Sequence, residues 1–229
     1  MAAQFYDDLA PPILRVWQDA IAALRSDLLY WLRHLAQHGE TWHPAWFEFG
    51  FGVAPDAGRD PASRREPVVV AGGFQLRGAV DLVERRADGA TLRVTDHKTG
   101  ADHTPAGLVV GGGETLQPVL YGLAVEAALG IPVEAGRLFF CTARGGFAEH
   151  TVRIDDRAQA AARTVLSTID DAIASGRLPP APRPAKPNER RPTCEACDFR
   201  PVCGTHEEER LGHKERQPLA ALAALRHLQ

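Results

Sequence analysis

The chain has 229 residues, 45% hydrophobic and 24% charged, with a formal net charge of −3; this is ordinary globular composition and excludes a disordered or collagen-like chain. No apolar run approaches the roughly 18 residues of a membrane span, and the N-terminus carries Asp7 and Asp8 where a secretory signal needs a basic start, so a soluble cytoplasmic protein with no membrane partner is expected. A whole-chain charge sum hides any basic face, so the informative counts are three lysines against 23 arginines, and four cysteines of which three fall between Cys194 and Cys203, a clustering that suggests a metal before disulfides.

Pro11 and Pro12 open an amphipathic stretch in which Leu14, Trp17, Ile21, Leu24, Leu28, Trp31 and Leu35 recur at three- and four-residue steps, which predicts one long helix over 11–38, ended near Gly39. Residues 46–52 then alternate Phe47, Phe49 and Phe51 with Trp46 and Glu48, as a half-buried strand does. After a polar loop over 54–67, two alternating runs, 74–86 and 91–98, flank the turn signal Asp88-Gly89 and predict a hairpin. A glycine-rich loop at Gly111 to Gly113 precedes a helix over 115–129 that stops at Gly130. Residues 137–142 and 147–154 read as a second hairpin about Gly145-Gly146, and a further helix runs from Asp156 to about Ser175. Six prolines between Pro179 and Pro192 then make an extended tether, 179–193. Strands gathered centrally between helices imply an α/β layered fold.

The chemistry concentrates in the first hairpin. With a period of two, Leu92, Val94, Asp96 and Lys98 share one face of their strand, so a carboxylate and an ammonium project together. Asp81 sits on the partner strand in an otherwise apolar run, GAVDLVE, where a buried carboxylate requires a cation, a donor or a metal; Arg77 is one nearby cation. Two aspartates converging near one lysine can hold Mg²⁺ and set a cation beside an attacking water. The Asp-X-Lys triplet alone is unspecific, because with 29 acids in 229 residues about one lysine in eight has an acid two positions before it. The hairpin setting, the glycine loop after it, and a helix presenting Gln117 and Tyr121 at i and i+4 add the context.

The series GAVDLVE, VTDHKTG, QPVLYGLAVE and CEACDFRPVC resembles the nuclease domain of the PD-(D/E)XK superfamily, in its RecB and AddB exonuclease branch, over about residues 45 to 205. The resemblance implies a restriction-endonuclease-like mixed sheet flanked by helices, with a nuclease core over 1–178 and a cysteine knuckle with a C-terminal helix over 194–229. It implies that Asp81 and Asp96 bind Mg²⁺ or Mn²⁺ with help from the backbone carbonyl of His97, whose side chain lies on the opposite face. It further implies that Lys98 orients water and stabilises developing charge, and that Gln117 and Tyr121 sit beside the site and touch DNA. A DNA groove would use arginines, with Arg64, Arg65, Arg144, Arg190 and Arg191 as candidates.

Cys194, Cys197 and Cys203 have the Cys-X2-Cys-X5-Cys spacing that in the AddB-like branch supplies three of four thiolates to a 4Fe-4S cluster. The family's fourth cysteine lies upstream of the nuclease motifs, whereas here the first cysteine is Cys141, in an apolar strand that suits a buried structural thiol. Either the chain lacks the N-terminal part that carried the fourth ligand, together with the helix bearing an additional metal ligand, or His206 completes a structural zinc site. His34, His38 and Glu48 are the nearby substitutes for the additional ligand. No phosphate-loop lysine follows the glycines at 111 to 113. Unwinding would therefore fall to a helicase domain or subunit, and the expected activity is a DNA exonuclease serving repair by recombination. The other reading is a catalytically impaired nuclease fold that binds DNA or scaffolds a helicase-nuclease complex.

Overall fold

The computed structural model describes residues 2–38, 41–54, 56–70, 72–177, 194, 197–214 and 219–228. The expected tether over 179–193, with Arg190 and Arg191, lies outside the described residues. The chain divides into two compact units, 1–163 with 228–229, and 164–227.

In the first unit, helices α1 (Ala2–Leu9) and α2 (Leu14–His38) precede strand β1 (Trp42–Phe51), the short pair β2 (Val68–Val69) and β3 (Gln75–Leu76), and the hairpin β4 (Gly78–Arg86) and β5 (Leu92–Lys98). Helix α3 (Gln117–Leu129), β6 (Val133–Phe140) and β7 (Glu149–Arg153) follow, and α4 (Asp156–Ala174) runs on into the second unit. There lie three short helices, α5 (Arg200–Cys203), α6 (Glu207–Gly212) and α7 (Ala220–Leu225). No helix of the described residues is long and apolar enough to cross a membrane.

Five strands form one mixed sheet in the order β1-β4-β5-β6-β7, with only β5 and β6 parallel. A parallel pair needs a crossover, and α3 supplies it. Leu92, Val94, Val83, Phe49 and Phe51 meet Ala124, Val125 and Ala128 of α3 in the core. The approach is close: a Cβ added at Gly136 would stand 2.0 Å from the carbonyl oxygen of Pro118, so glycine at this point of β6 is what lets the first turn of α3 lie on the sheet. Gly130, at φ 69°, closes α3 with a left-handed cap.

Two expectations need correction. Phe47 is 59% exposed, while Phe49 and Phe51 are buried. The alternation of β1 is broken by Glu48, whose φ of 51° lies in the left-handed region, and by an irregular register between Pro44 and Trp46. The long helix begins at Leu14, and Leu14, Leu24 and Leu28 of the predicted apolar stripe are exposed. The C-terminal turns of α2 are the ones seated on the sheet, where Trp31 and His34 meet the ring of Phe139; nearer its start, Trp17 packs edge-on against Tyr6 of α1.

Candidate active site

The ladder between β4 and β5 runs from Arg85↔Leu92 to Leu82↔Thr95 and then stops. One residue further on, Asp81 faces Asp96, and its carboxylate replaces the backbone acceptor that the open ladder no longer offers: Oδ2 of Asp81 takes the N–H of His97 at 2.7 Å. Val80 and Val83 both belong to the core although they are three positions apart, so the alternation of β4 breaks around Asp81. This break stands opposite the left-handed Glu48 on β1. The two strands thus part where the carboxylates lie. The partner of Asp81 is the His97 backbone, not Arg77.

Asp96 is 7% exposed and shares its face with the buried Leu92 and Val94, as the period of two predicts. The Lys98 Nζ stands 2.7 Å from Asp96 Oδ2, yet this buried oxygen receives no hydrogen bond of acceptable direction from the described residues. Burial pushes the Asp96 carboxyl above the ordinary aspartate value and the charge of Asp81 adds to the rise, against the pull of Lys98. Burial would also raise Asp81, but hydrogen bonds from His97 and the charges of His97 and Lys98 outweigh it and hold this carboxyl low. One carboxylate is therefore comfortable as an anion, and its neighbour needs a further cation.

Tyr121 lies half-buried on α3, edge-on to Phe51 with ring centroids 6.4 Å apart. Burial, followed by the fields of Asp96 and Asp81, raises its phenol, which stays neutral and able to donate. Gln117 is the first residue of α3 and is partly buried one turn before Tyr121. Arg144 is exposed in the turn between β6 and β7. That turn is tied to the end of β5, because Cys141 donates its N–H to the Lys98 carbonyl at 3.0 Å and the Thr142 hydroxyl donates to the Thr99 carbonyl at 3.2 Å. Arg144 and Lys98 thus lie at the same end of the sheet. Cys141 is half-buried beside Lys98, with its thiol raised by burial. Arg64 and Arg65 are exposed next to β1, where the Arg64 N–H donates to the Gly50 carbonyl at 2.8 Å.

The residues fit a divalent cation bound by few protein ligands. Mg²⁺ commonly takes one or two carboxylates and keeps several waters, and the buried Asp96 oxygen without a donor is the kind of atom that a cation satisfies. Strand geometry turns the C=O of His97 to the same side as its N–H, toward Asp81. Among the described residues, no three His, Cys, Asp or Glu side chains are grouped as a metal site. Of the nearby substitutes for an added ligand, Glu48 is exposed in the row of Asp81, and the His38 side chain lies outside the described residues. His34 sits on the other face of the sheet, bonded to Glu149 and stacked on Phe139.

Among the described residues, Cys194, Cys197, Cys203 and His206 form no such grouping either. Burial and the neighbouring Glu207 raise the Cys194 thiol, with Cys197 and Cys203 contributing.

Two polar arrangements escaped the sequence reading. On the face of Asp96, the register Asp96↔Leu138↔His150 places His150 two strands away, where its Nε2 meets Asp102 Oδ2 at 2.7 Å. Asp102 also accepts the Thr104 N–H at 2.8 Å, and this Asp-X-Thr turn was the available signal. On the opposite face, Glu84 is 2% exposed and takes two bonds from Arg93, at 2.8 Å each, one from Thr95 and others from Arg137. Arg137 reaches on to Glu149. An open cavity of about 480 Å³ beside this network is lined by Trp42, Arg93, Arg137, Phe147 and Glu149, among others.

In comparisons with known proteins, a family model described as the PD-(D/E)XK nuclease superfamily matches residues 2–204, most of the chain. A search of the curated proteins found no match.

Proposed function

The chain belongs to the PD-(D/E)XK nuclease superfamily, whose members generally use divalent metals to hydrolyse phosphodiester bonds, and we propose that it is a Mg²⁺- or Mn²⁺-dependent deoxyribonuclease, an exonuclease of the RecB and AddB kind. The observation that carries this reading is the opening of the sheet at Asp81 and Asp96, with the Lys98 ammonium 2.7 Å from Asp96. In this reading Asp81, Asp96 and the His97 carbonyl hold the metal, which when bound activates water and neutralises charge on the scissile phosphate. Lys98 adds a second cation where negative charge develops. Tyr121 donates its hydroxyl toward the phosphate, and Gln117 contacts DNA one helical turn before it. Arg144, Arg190 and Arg191 line the DNA path.

The resemblance of the four motifs supports a role in repair by recombination in the cytoplasm, alongside a helicase domain or subunit. The spacing of Cys194, Cys197 and Cys203 supports a 4Fe-4S cluster, with structural zinc through His206 as the competing occupant. Purification under anaerobic conditions separates these two: a brown protein absorbing near ~400 nm contains the cluster, and a colourless one with stoichiometric zinc does not.

The test of the main reading is cleavage of linear double-stranded DNA with Mg²⁺ or Mn²⁺, compared with Asp96→Ala and Lys98→Ala. Metal-dependent cleavage lost in both variants is expected. A second reading, a nuclease fold that binds DNA without cutting it, is favoured because no three His, Cys, Asp or Glu side chains are grouped as a metal site among the described residues. DNA binding with equal inactivity in wild type and variants, at saturating Mn²⁺, would leave that reading alone.

A further inference from the structure

The end of β5 that carries Lys98 is laddered on one side only. Pairing with β4 stops at Leu82↔Thr95, whereas β6 accompanies β5 as far as Lys98↔Phe140. Residues 99–116 then join Lys98 to Gln117, the first residue of α3, so the residues that flank this loop both belong to the candidate site. Its second half is seated by the buried side chains of Leu108, Val109 and Val110. Its first half, 99–107, has no buried side chain, and what fixes its path is polar.

The Thr142 hydroxyl donates to the Thr99 carbonyl at 3.2 Å, and the turn between β6 and β7 lies so near that a Cβ added at Gly145 would stand 2.8 Å from the Gly100 carbonyl oxygen. Two residues on, Asp102 uses both its oxygens. Oδ1 takes the N–H of Thr104 at 2.8 Å, and Oδ2 meets His150 Nε2 of β7 at 2.7 Å. Burial would raise this carboxyl, but the hydrogen bonds from His150 and Thr104 outweigh it and hold it low, so Asp102 accepts as an anion and the imidazole donates. The His150 ring is in turn braced edge-on by Phe140, with centroids 6.0 Å apart.

His150 shares a row and a face with Asp96, with Leu138 between them. Two strand spacings amount to roughly 10 Å, well beyond the reach of a hydrogen bond to atoms reacting at Asp96. The pair acts on the site only through the chain it holds. We infer that Asp102 and His150 are a positioning pair for the nuclease site, which ties the chain just after Lys98 to β7 and so holds the free end of β5 with its ammonium at the carboxylates. This rests on the reading of Lys98 as the cation that acts on the scissile phosphate. β4 leaves β5 where the carboxylates lie, and the tie to β7 supplies from the other side the restraint that the parted ladder gives up. A misplacement of about 1 Å in such a group costs about 10²-fold in rate.

The test is kcat and KM of the full chain on linear double-stranded DNA at saturating Mn²⁺, together with calorimetric binding of Mn²⁺ without DNA. Asp102→Ala and His150→Phe are each expected to lower kcat by about 10–100-fold. KM for DNA should change little, because the half of the loop that leads to Gln117 has its own apolar seat, and Mn²⁺ affinity should not change, because Asp81 and Asp96 stand on the strands themselves. The double variant should be no slower than Asp102→Ala alone, since both changes break one tie. His150→Gln, whose amide N–H takes the place of Nε2–H, should recover most of the rate. A merely structural pair would lower the melting temperature, leave kcat of the folded variants unchanged and give the Gln variant no advantage over Phe; losses that add in the double variant would equally overturn the pairing.

Lys98→Ala serves as the reference. If wild type does not cleave, or Lys98→Ala cleaves as wild type does, the functional reading falls and takes this inference with it. If Lys98→Ala loses cleavage while folded Asp102→Ala and His150→Phe cleave normally, this inference alone falls.

Discussion

Lys98 and Asp96 stand 2.7 Å apart at the mouth of the opened hairpin, and the ammonium balances the buried Asp96 oxygen by charge without a well-directed hydrogen bond. A half-satisfied carboxylate of this kind is a stability defect that a cation removes, so the site's chemistry and its cost to the fold have one origin.

The first prediction concerns that cost. The folded Asp96 carboxyl titrates above its ordinary value, so its ionised form destabilises the native state at neutral pH, and the penalty fades as pH falls through the folded value toward the ordinary one. In metal-free buffer at pH 7, Asp96→Asn should therefore melt at the same temperature as wild type or a few degrees higher. The gap should close in acid, and Mn²⁺ should raise the melting temperature of wild type only. Calorimetry with and without chelator reads all three effects.

Lys98→Ala should lower kcat by about 10²–10³-fold, the usual loss when one preorganised charge-stabilising group is removed. The exposed arginines remain to bind DNA, so KM should change little. Single-turnover cleavage at saturating Mn²⁺ measures the step directly, and an unaltered rate would remove Lys98 from the chemistry.

Glu84 tests the other face of the sheet. Arg93, Arg137 and Thr95 hold its carboxyl below the ordinary glutamate range although burial alone would raise it. Its contribution is therefore present above the ordinary value and is lost as pH falls through the folded one. Glu84→Ala leaves two arginines without their shared anion and should cost about 3–5 kcal/mol, seen as a lower midpoint in urea. The variant should also lose the share of the acid-range pH dependence that Glu84 supplies, while the shares of Asp81, Asp102 and Glu149 remain.

Gly136→Ala should displace the first turn of α3, because the new methyl would meet the Pro118 carbonyl at 2.0 Å. Overpacking of this kind costs about 1–3 kcal/mol or more. As Gln117 rides on that turn and Tyr121 on the next, cleavage should fall further than stability alone explains, and the comparison is made at a temperature where the variant is fully folded.

Arg144→Ala should weaken DNA binding and reduce the slope of log affinity against log salt by about one, the mark of one lost phosphate contact. An unchanged slope in fluorescence titrations would take Arg144 out of the DNA path.

Much of this architecture was legible locally. Alternation in 74–86 and 91–98 around Asp88-Gly89 yields β4 and β5, and the pattern ending at Gly130 yields α3, because periodicity and turn chemistry act over a few residues. The pairing of Asp96 with Lys98 followed from the period of two. Phe47 did not follow, since nothing in the composition of a strand announces a left-handed glutamate beside it.

By itself the sequence determined which side chains share a face of each strand, and through its ordered motifs it determined the superfamily. Only the tertiary structure decided what those faces meet. The bonds from Arg137 to Glu84 span 53 positions, and the seat of Trp31 on His97 joins α2 to the middle of the sheet. Such contacts depend on strand order, on cross-strand register and on where a ladder ends. These are set by the packing of the whole sheet against α2 and α3, whereas periodicity records only the neighbours along the chain.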